Sequence, residues 1–511
     1  MRNNLQTSIV IGIILLFLIS NFSVVALKQA SQMKNLDDFL SDDCDIYNVG
    51  KLSGWPQVFD GGSDDQAWGI DVDSQGNVIV TGYSVDKSVG RSNMFTIKYD
   101  NNGNELWNVS FDSGMDDFGF DVTVDSGDNV IVFGFSGVSD NWNGSFVVVK
   151  YNRDGVEQWH RTYRNGVSSF AGGIATDSND NIIITGCIGD INQKNISGWT
   201  VKISSDGSEK WNNIFRESWA DLSLGVTVDQ EGNIIVVGAS VIPVVGGGIS
   251  AVKYDEDGNV LWWKTYGGNE AWDVAVDSKG NIVIIGDSYS YEGNYVNWYV
   301  IKCDNNGSFL WDQEYDSGED DSAMGVAVDS QDSIIVSGYS SFSRYQKYEH
   351  CLIVYDKDGT EVCLKRSGVK GFLMDAAVNH NDKVFVTGSE TQFFMGNSDY
   401  YTDVYDDLTP PSANIIKPIS GYLYLFNKQL LSIPDNTIVI GRITISVDVE
   451  DISDVEKVEF YVDNRLMETI SESPFEWTWS DIDFGKHTIK TMTYDSSGSV
   501  KREEIKVTKI F

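Results

Sequence analysis

One phrase recurs seven times along this chain: an apolar strand ending in Asp, a Gly/Asn turn, a second apolar strand and a closing Gly. Its first copy reads Val72-Asp73-Ser74-Gln75-Gly76-Asn77-Val78-Ile79-Val80-Thr81-Gly82. The strand-ending residues are Asp73, Asp125, Asp177, Asp229, Asp277, Asp329 and a degenerate Asn379. Subtracting neighbours gives spacings of 52, 52, 52, 48, 52 and 50 residues. Repeats of this length, built from short strands without helical periodicity, specify a β-propeller in which each copy is one blade.

Each copy has a second half, a strand followed by Tyr-Asp-x-x-Gly-x-x-x-Trp, as in Tyr99-Asp100, Gly103 and Trp107. Trp159, Trp211, Trp262 and Trp311 hold the same place in the next four copies, and Cys363 holds it in the sixth. The seventh copy runs through Tyr405-Asp406 and has no Trp. Upstream, Trp55-Pro56-Gln57-Val58-Phe59 matches the outer strand that begins at each Trp. The sequence therefore predicts that this segment pairs beside Tyr400–Tyr405 and closes a ring of seven blades, which removes the open sheet edges. Asp-x-x-Gly suits a hairpin with a left-handed Gly, and an Asp closing a strand accepts from backbone amides two residues on. Recurrence once per blade marks these Asp residues as structural.

The repeats occupy residues 45–408, and Asp407-Leu408-Thr409-Pro410-Pro411-Ser412 breaks the pattern, leaving a linker at 409–412. Residues 413–511 alternate differently. Ile438–Val447, Val455–Val462, Phe475–Trp479, His487–Tyr494 and Ile505–Val507 are strand-like runs between Asp/Ser/Gly turns. About 100 such residues suggest an immunoglobulin-like β-sandwich. The fold class expected is all-β, a seven-bladed propeller followed by that sandwich.

The net charge of −38 and pI near 4.2 exclude a nucleic-acid partner, which needs basic patches. Arg2, the apolar run Ile9–Ile19 and the small-residue exit at Val24-Val25-Ala26 read as a signal peptide over residues 1–26, followed by a linker at 27–44. The alternative takes Ser8–Leu27 as a membrane anchor, the chain's one stretch that could contact a membrane. Five cysteines make no disulfide framework. Cys303 and Cys363 replace core aromatics, and Cys351 and Cys363 flank one hairpin and could lie across from each other. Sequons at Asn108, Asn143, Asn195 and Asn306 accord with export.

Catalytic signatures are scarce. The histidines His160, His350, His380 and His487 lack metal-ligand spacing, and no nucleophile elbow or phosphate loop occurs. Asp pairs such as Asp64-Asp65, Asp116-Asp117 and Asp320-Asp321 precede the inner strands and are expected to rim one mouth of the channel. Asp121, Asp273 and Asp375 stand where other copies have Gly, four residues before the strand's end. Converging on the channel, they could bind Ca²⁺ through oxygen. The competing expectation is that each holds a neighbouring backbone amide or water. Asp448, Glu450, Asp451 and Asp495 form a second loose acidic group. No high-affinity calcium site and no cofactor is expected.

Asp-Ser-x-Gly-Asn-(Ile/Val)-(Ile/Val)-Val-x-Gly with Tyr-Asp-x-x-Gly-x-x-Leu-Trp resembles the SBBP-type propeller repeat of exported microbial proteins, over residues 54–405. Val458-Glu459-Phe460-Tyr461-Val462-Asp463, Ser473-Pro474-Phe475-Glu476-Trp477 and Tyr494-Asp495-Ser496-Ser497-Gly498 are similar to Ig-like modules of microbial surface proteins. These resemblances imply a prokaryotic cell-surface setting and transfer no activity. Ser204-Ser205-Asp206-Gly207 with Trp211 partly echoes a sialidase box, without that family's arginine cluster. Quinone-dependent dehydrogenases have docking motifs close to the same phrase. The expected role is binding or adhesion through protein or glycan contacts. The alternative is an extracellular glycan-active hydrolase or a quinone-dependent enzyme.

Overall fold

The computed structural model describes residues 54–510, apart from 139–142, 164–167, 191–194, 219, 243–245, 290–294, 342–347, 393–396, 406–411, 434–435, 450–454, 464 and 496–498. The N-terminal segment, Cys44, Glu450, Asp451 and most of the interdomain linker lie outside the described residues. Among those described, every regular element is a strand.

Antiparallel meanders follow one another along the chain. The first runs Asp65–Val72, Val78–Asp86, Arg91–Tyr99 and Glu105–Phe111, and the second runs from Asp116–Val124 to Glu157–Tyr163. Others begin at Ser168–Thr176, Gly225–Val228, Glu270–Val276 and Asp321–Val328. The long strand Glu361–Val378 serves two sheets. Its first part pairs with Tyr348–Tyr355 and its second with Val384–Gln392, which in turn pairs with Asn397–Tyr405.

Gln57–Phe59 completes that last sheet antiparallel to Asn397–Tyr405, with Gln57 opposite Thr402 and Phe59 opposite Tyr400. Trp55 is buried in edge contact with Tyr99 at 5.7 Å and Phe385 at 5.9 Å, so its ring belongs to the first and last sheets together. Phe59 stacks on Phe95 at 4.6 Å.

The Trp series shows how consecutive sheets lock. The indole N–H of Trp107 donates to Arg153 O, Trp159 to Ser205 O, Trp211 to Glu256 O, Trp262 to Asn305 O and Trp311 to Lys357 O, each at 2.9–3.3 Å. All five acceptors lie in the turn of the following sheet that closes on a left-handed Gly (Gly155, Gly207, Gly258, Gly307 or Gly359). Trp55 does the same to Asn101 O at 3.3 Å. Gly155 is left-handed, and a Cβ on it would come within 2.9 Å of the Trp107 ring, so Gly answers both backbone and packing there.

The C-terminal part is a sandwich. One sheet holds Ala413–Lys417, Ile443–Val449 and Glu476–Trp479, and the facing one is built on Val455–Val462, Phe484–Asp495 and Ser499–Ile510. Ile443, Ile445, Phe460, Trp479 and Ile489 fill the core. The run expected as one strand over 438–447 is two. Gly441, with φ +80, breaks it so that Ile438–Ile440 joins one sheet and Ile443–Val449 the other. The sandwich also continues a propeller sheet, since Leu364 and Lys365 pair with Val500 and Ser499. Leu364, Met492 and Val500 share one buried cluster with Tyr315 and Ile353. Cys351 and Cys363 are both buried. In the register Cys351 faces Arg366 and Cys363 faces Val354, which corrects the expectation that the two lie opposite.

Candidate functional site

Six inner strands carry a register shift near their start, between Ala67/Gly69, Gly119/Asp121, Ala171/Ile174, Ala271/Asp273, Ala323/Gly325 and Leu373/Asp375. A bulge inserts a residue the ladder cannot pair and re-aims its side chain. Counting five back from each strand-ending residue (73 − 5 = 68, and so on) gives Trp68, Phe120, Gly172, Leu224, Trp272, Met324 and Met374. Every one of them lines a single central cavity of about 470 Å³. Trp68 and Phe120 meet at 4.7 Å and Phe120 and Phe170 at 5.2 Å, forming an aromatic arc on one side. Across from it, the Trp272 indole donates to Asp287 Oδ2 at 2.9 Å, and Ser322 Oγ donates to Asp287 Oδ1 at 2.8 Å.

Next to this apolar layer sit the carboxylates singled out by sequence. Asp121 Oδ1 accepts its neighbour Val122 N–H at 2.7 Å, and its Oδ2 accepts Ile174 N–H of the next sheet at 2.8 Å. Asp273 bridges in the same way to Val326 at 2.9 Å, and Asp375 to Ile70 at 2.9 Å. A fourth carboxylate, Asp71, reaches Val124 N–H at 2.8 Å. Burial pushes Asp71 and Asp273 up to about 6 and Asp121 up to about 7, against the pull of those amides. Asp375 is raised as well, by burial and then by the charges of Asp273 and Asp121. Close approach is possible because the preceding sheet presents glycine. A Cβ on Gly69, Gly225 or Gly325 would come within 2.7, 2.8 and 2.5 Å of the Cα of Asp121, Asp273 and Asp375.

The repeated strand-ending Asp residues are far from idle turn anchors. Asp73 Oδ1 accepts Gln75 and Asn77 N–H, and its Oδ2 pairs with Lys98 Nζ at 2.8 Å. Lys150–Asp125, Lys202–Asp177, Lys253–Asp229 and Lys302–Asp277 repeat the pair at 2.7–2.9 Å, all buried. Burial alone would raise these carboxyls, but the ammonium and the Asn amide outweigh it and hold each below its ordinary value. Four of the lysines also donate to the next sheet's turn, as Lys150 Nζ does to Ser205 O at 3.3 Å. Asp329 faces no such lysine, because Val354 stands at the matching place, and Asn379 accepts from Asn381 and Lys383 N–H. The lysines were detectable in sequence: they recur 24 or 25 residues after their Asp (98 − 73 = 25, 253 − 229 = 24).

The Asp pairs ahead of the inner strands do not rim the mouth as expected. Asp65, Asp117, Asp221 and Asp321 are all buried, and each accepts from the loop that enters its strand, as Asp117 Oδ2 does from Ser113 N–H at 2.7 Å. The first members, Asp64, Asp116 and Asp320, latch onto Ser398, Ser92 and Val296 N–H at 3.0–3.2 Å. One carboxyl pair near the mouth is different. Glu270 faces Asp287 across adjacent strands. Burial, then the charge of Asp287, pushes Glu270 up to about 8, and burial pushes Asp287 up to about 7.

The bacterial Ig domain family matches residues 431–490. An uncharacterized WD repeat-containing protein of Acanthamoeba polyphaga mimivirus is 24% identical over 269 residues, which is 52% of this chain and 15% of that relative's length. Among solved structures, the WD40 β-propeller domain of Doa1 is 12% identical with a TM-score of 0.42, covering 69% of this chain and 96% of that one. Sqt1 from Chaetomium thermophilum is 11% identical with a TM-score of 0.43, covering 89% of this chain and all of that one (100%). The successive four-stranded meanders carry the propeller architecture, and the sandwich with its family match carries the Ig-like part.

Proposed function

We propose that the chain is an exported cell-surface binding protein, a seven-bladed propeller over residues 45–408 carrying an Ig-like module over 413–511. The observation that carries the binding reading is the ring five residues before each strand end. Trp68, Phe120, Trp272, Met324 and Met374 are large, partly exposed and gathered around one cavity of about 470 Å³. Ligand sites are concave and combine apolar walls with placed polar groups, and this cavity offers aromatic and methionine side chains beside exposed strand backbone. Flat aromatic faces suit the C–H faces of sugar rings. A glycan is therefore the favoured ligand, ahead of a protein loop. Export is supported by the signal-like segment at residues 1–26 and by the bacterial Ig domain match. In this reading Asp121, Asp273 and Asp375 are ties between blades, and the channel needs no cofactor.

The catalytic alternative has one feature in its favour, the Glu270–Asp287 pair with its raised carboxyls. A glycan array probed with the purified chain, run beside a glycoside turnover panel, separates the two. Retention of glycans without turnover supports binding. Turnover that Glu270→Gln abolishes establishes a hydrolase instead.

A further inference from the structure

The seam where the ring closes differs from the others in one place. At four seams a loop enters the inner strand and is pinned by a buried Asp, namely Asp65, Asp117, Asp221 or Asp321. At three of them a serine hydroxyl also donates to that Asp: Ser113 Oγ to Asp117 Oδ1, Ser218 Oγ to Asp221 Oδ1 and Ser317 Oγ to Asp321 Oδ1, at 2.8–2.9 Å. At the closing seam Gly61 replaces the serine. A Cβ on it would sit 2.7 Å from both Asp65 Oδ1 and Ser84 Oγ, so here the carboxylate lies against the turn backbone and no serine hydroxyl from the loop can reach it.

The neighbouring strand changes as well. The residue after the amide that latches the loop is Asn93 at one seam and Asn297 at another, and Asp399 at the closing seam. The outcome is three carboxylates where other seams have two and an amide. The side-chain oxygens of Asp60, Asp65 and Asp399 lie within 4.8 Å of one another. Asp65 is 0% exposed and Asp399 2%, while Asp60 opens the group to solvent. Asp65 Oδ2 accepts Gly61 N–H at 2.7 Å, but its buried Oδ1 has no hydrogen-bond partner of good geometry, although Ser84 stands close by. A buried carboxylate oxygen without a donor is costly unless a cation meets it. The Lys87 ammonium lies against Gly62, at the outer end of the same turn.

We propose that Asp60, Asp65 and Asp399 bind one hard divalent cation, Ca²⁺, which ties the ring-closing strand to the strands on either side of it. Oxygens within 4.8 Å of one another can share an ion at about 2.4 Å from each. The all-carboxylate set selects a hard cation over zinc or copper. Asp60 follows the closing strand Gln57–Phe59, Asp65 begins the first inner strand and Asp399 lies on Asn397–Tyr405. One ion therefore bridges three segments from opposite ends of the repeat region, and binding stabilises the closed ring.

The test is calorimetric titration of the purified, chelator-stripped full chain with CaCl₂, together with melting in CaCl₂, MgCl₂ and EDTA. The variants are Asp399→Asn, the residue that other seams carry, and Asp121→Asn in the channel. We expect one calcium per chain and a higher melting temperature in calcium than in EDTA. Asp399→Asn should weaken binding by roughly tenfold or more while melting in EDTA no lower than the parent. Asp121→Asn should keep the calcium response. No heat and no melting shift at millimolar calcium would overturn the proposal. So would an Asp399→Asn protein that binds like the parent, or a response lost in Asp121→Asn alone.

Discussion

Asp375 Oδ2 accepts the amide hydrogen of Ile70 at 2.9 Å, joining the last inner strand to the first across 305 residues of sequence. Asp121 and Asp273 make the same bond one sheet forward, and Asp71 a shifted version of it. Inner strands of neighbouring blades do not share a ladder, so these carboxylates supply ties that the backbone cannot make.

The ties give stability a predictable pH dependence. A carboxyl whose pKa is raised on folding binds more protons in the folded state, so stability falls as pH climbs from about 4 through the raised value. Asp71, Asp121 and Asp273, at about 6, 7 and 6, act this way, as do Asp287 and Glu270. The Lys-paired Asp73, Asp125, Asp177, Asp229 and Asp277 are lowered, so their contribution is lost as pH drops below about 4. Melting temperature should peak at about pH 4, where the two limbs meet, and decline on both sides. Asp121→Asn should flatten the limb between about pH 4 and 7. A melting temperature that climbs steadily from pH 5 to 8 is the contrary result.

The buried lysines should outweigh anything on the surface. Lys150→Met leaves Asp125 buried and uncompensated and removes the bond to Ser205 O. The expected loss is about 3 kcal/mol, the usual scale for removing one partner of a buried pair. Lys357→Met, whose pair with Asp358 is solvent-exposed at 3.8 Å, should change stability by less than about 0.5 kcal/mol. Urea unfolding of the two variants side by side decides it.

Ring closure rests on Trp55 as much as on the strand that follows it. Its ring touches Tyr99 and Phe385, and its indole N–H reaches Asn101 O. Trp55→Ala should cost about 3–5 kcal/mol. Amide exchange should then quicken in the sheets containing both Tyr99 and Phe385. Faster exchange confined to Asn397–Tyr405 would mean that closure is not shared.

Local patterning made most of this architecture readable. The 52-residue phrase predicted the meanders, and the absent seventh Trp pointed to the segment that pairs with Tyr400 and Thr402. Asp121, Asp273 and Asp375 stood out because they broke a Gly position. What they hold was not readable, since Ile174, Val326 and Ile70 reach them only when sheets pack side by side. The mouth ring was missed for a different reason. A strand pattern assumes strict alternation, and a bulge shifts the face on which Trp68, Phe120 and Trp272 emerge. Asp60, Asp65 and Asp399 were invisible as a group because over 300 residues separate Asp65 from Asp399 (399 − 65 = 334).

Array binding by three proteins measured together tests the role of the mouth most directly: the parent chain, Trp68→Ala with Trp272→Ala, and Trp311→Ala as a control on the outer rim. Trp68 and Trp272 line the central cavity, whereas Trp311 donates to Lys357 O between outer strands. The parent and the Trp311→Ala protein, compared at a temperature where both are folded, should retain the same glycans. The Trp68→Ala/Trp272→Ala protein should lose them with its melting cooperativity intact. Equal retention by all three proteins, or no glycan retained by the parent, would contradict a binding site at the channel mouth.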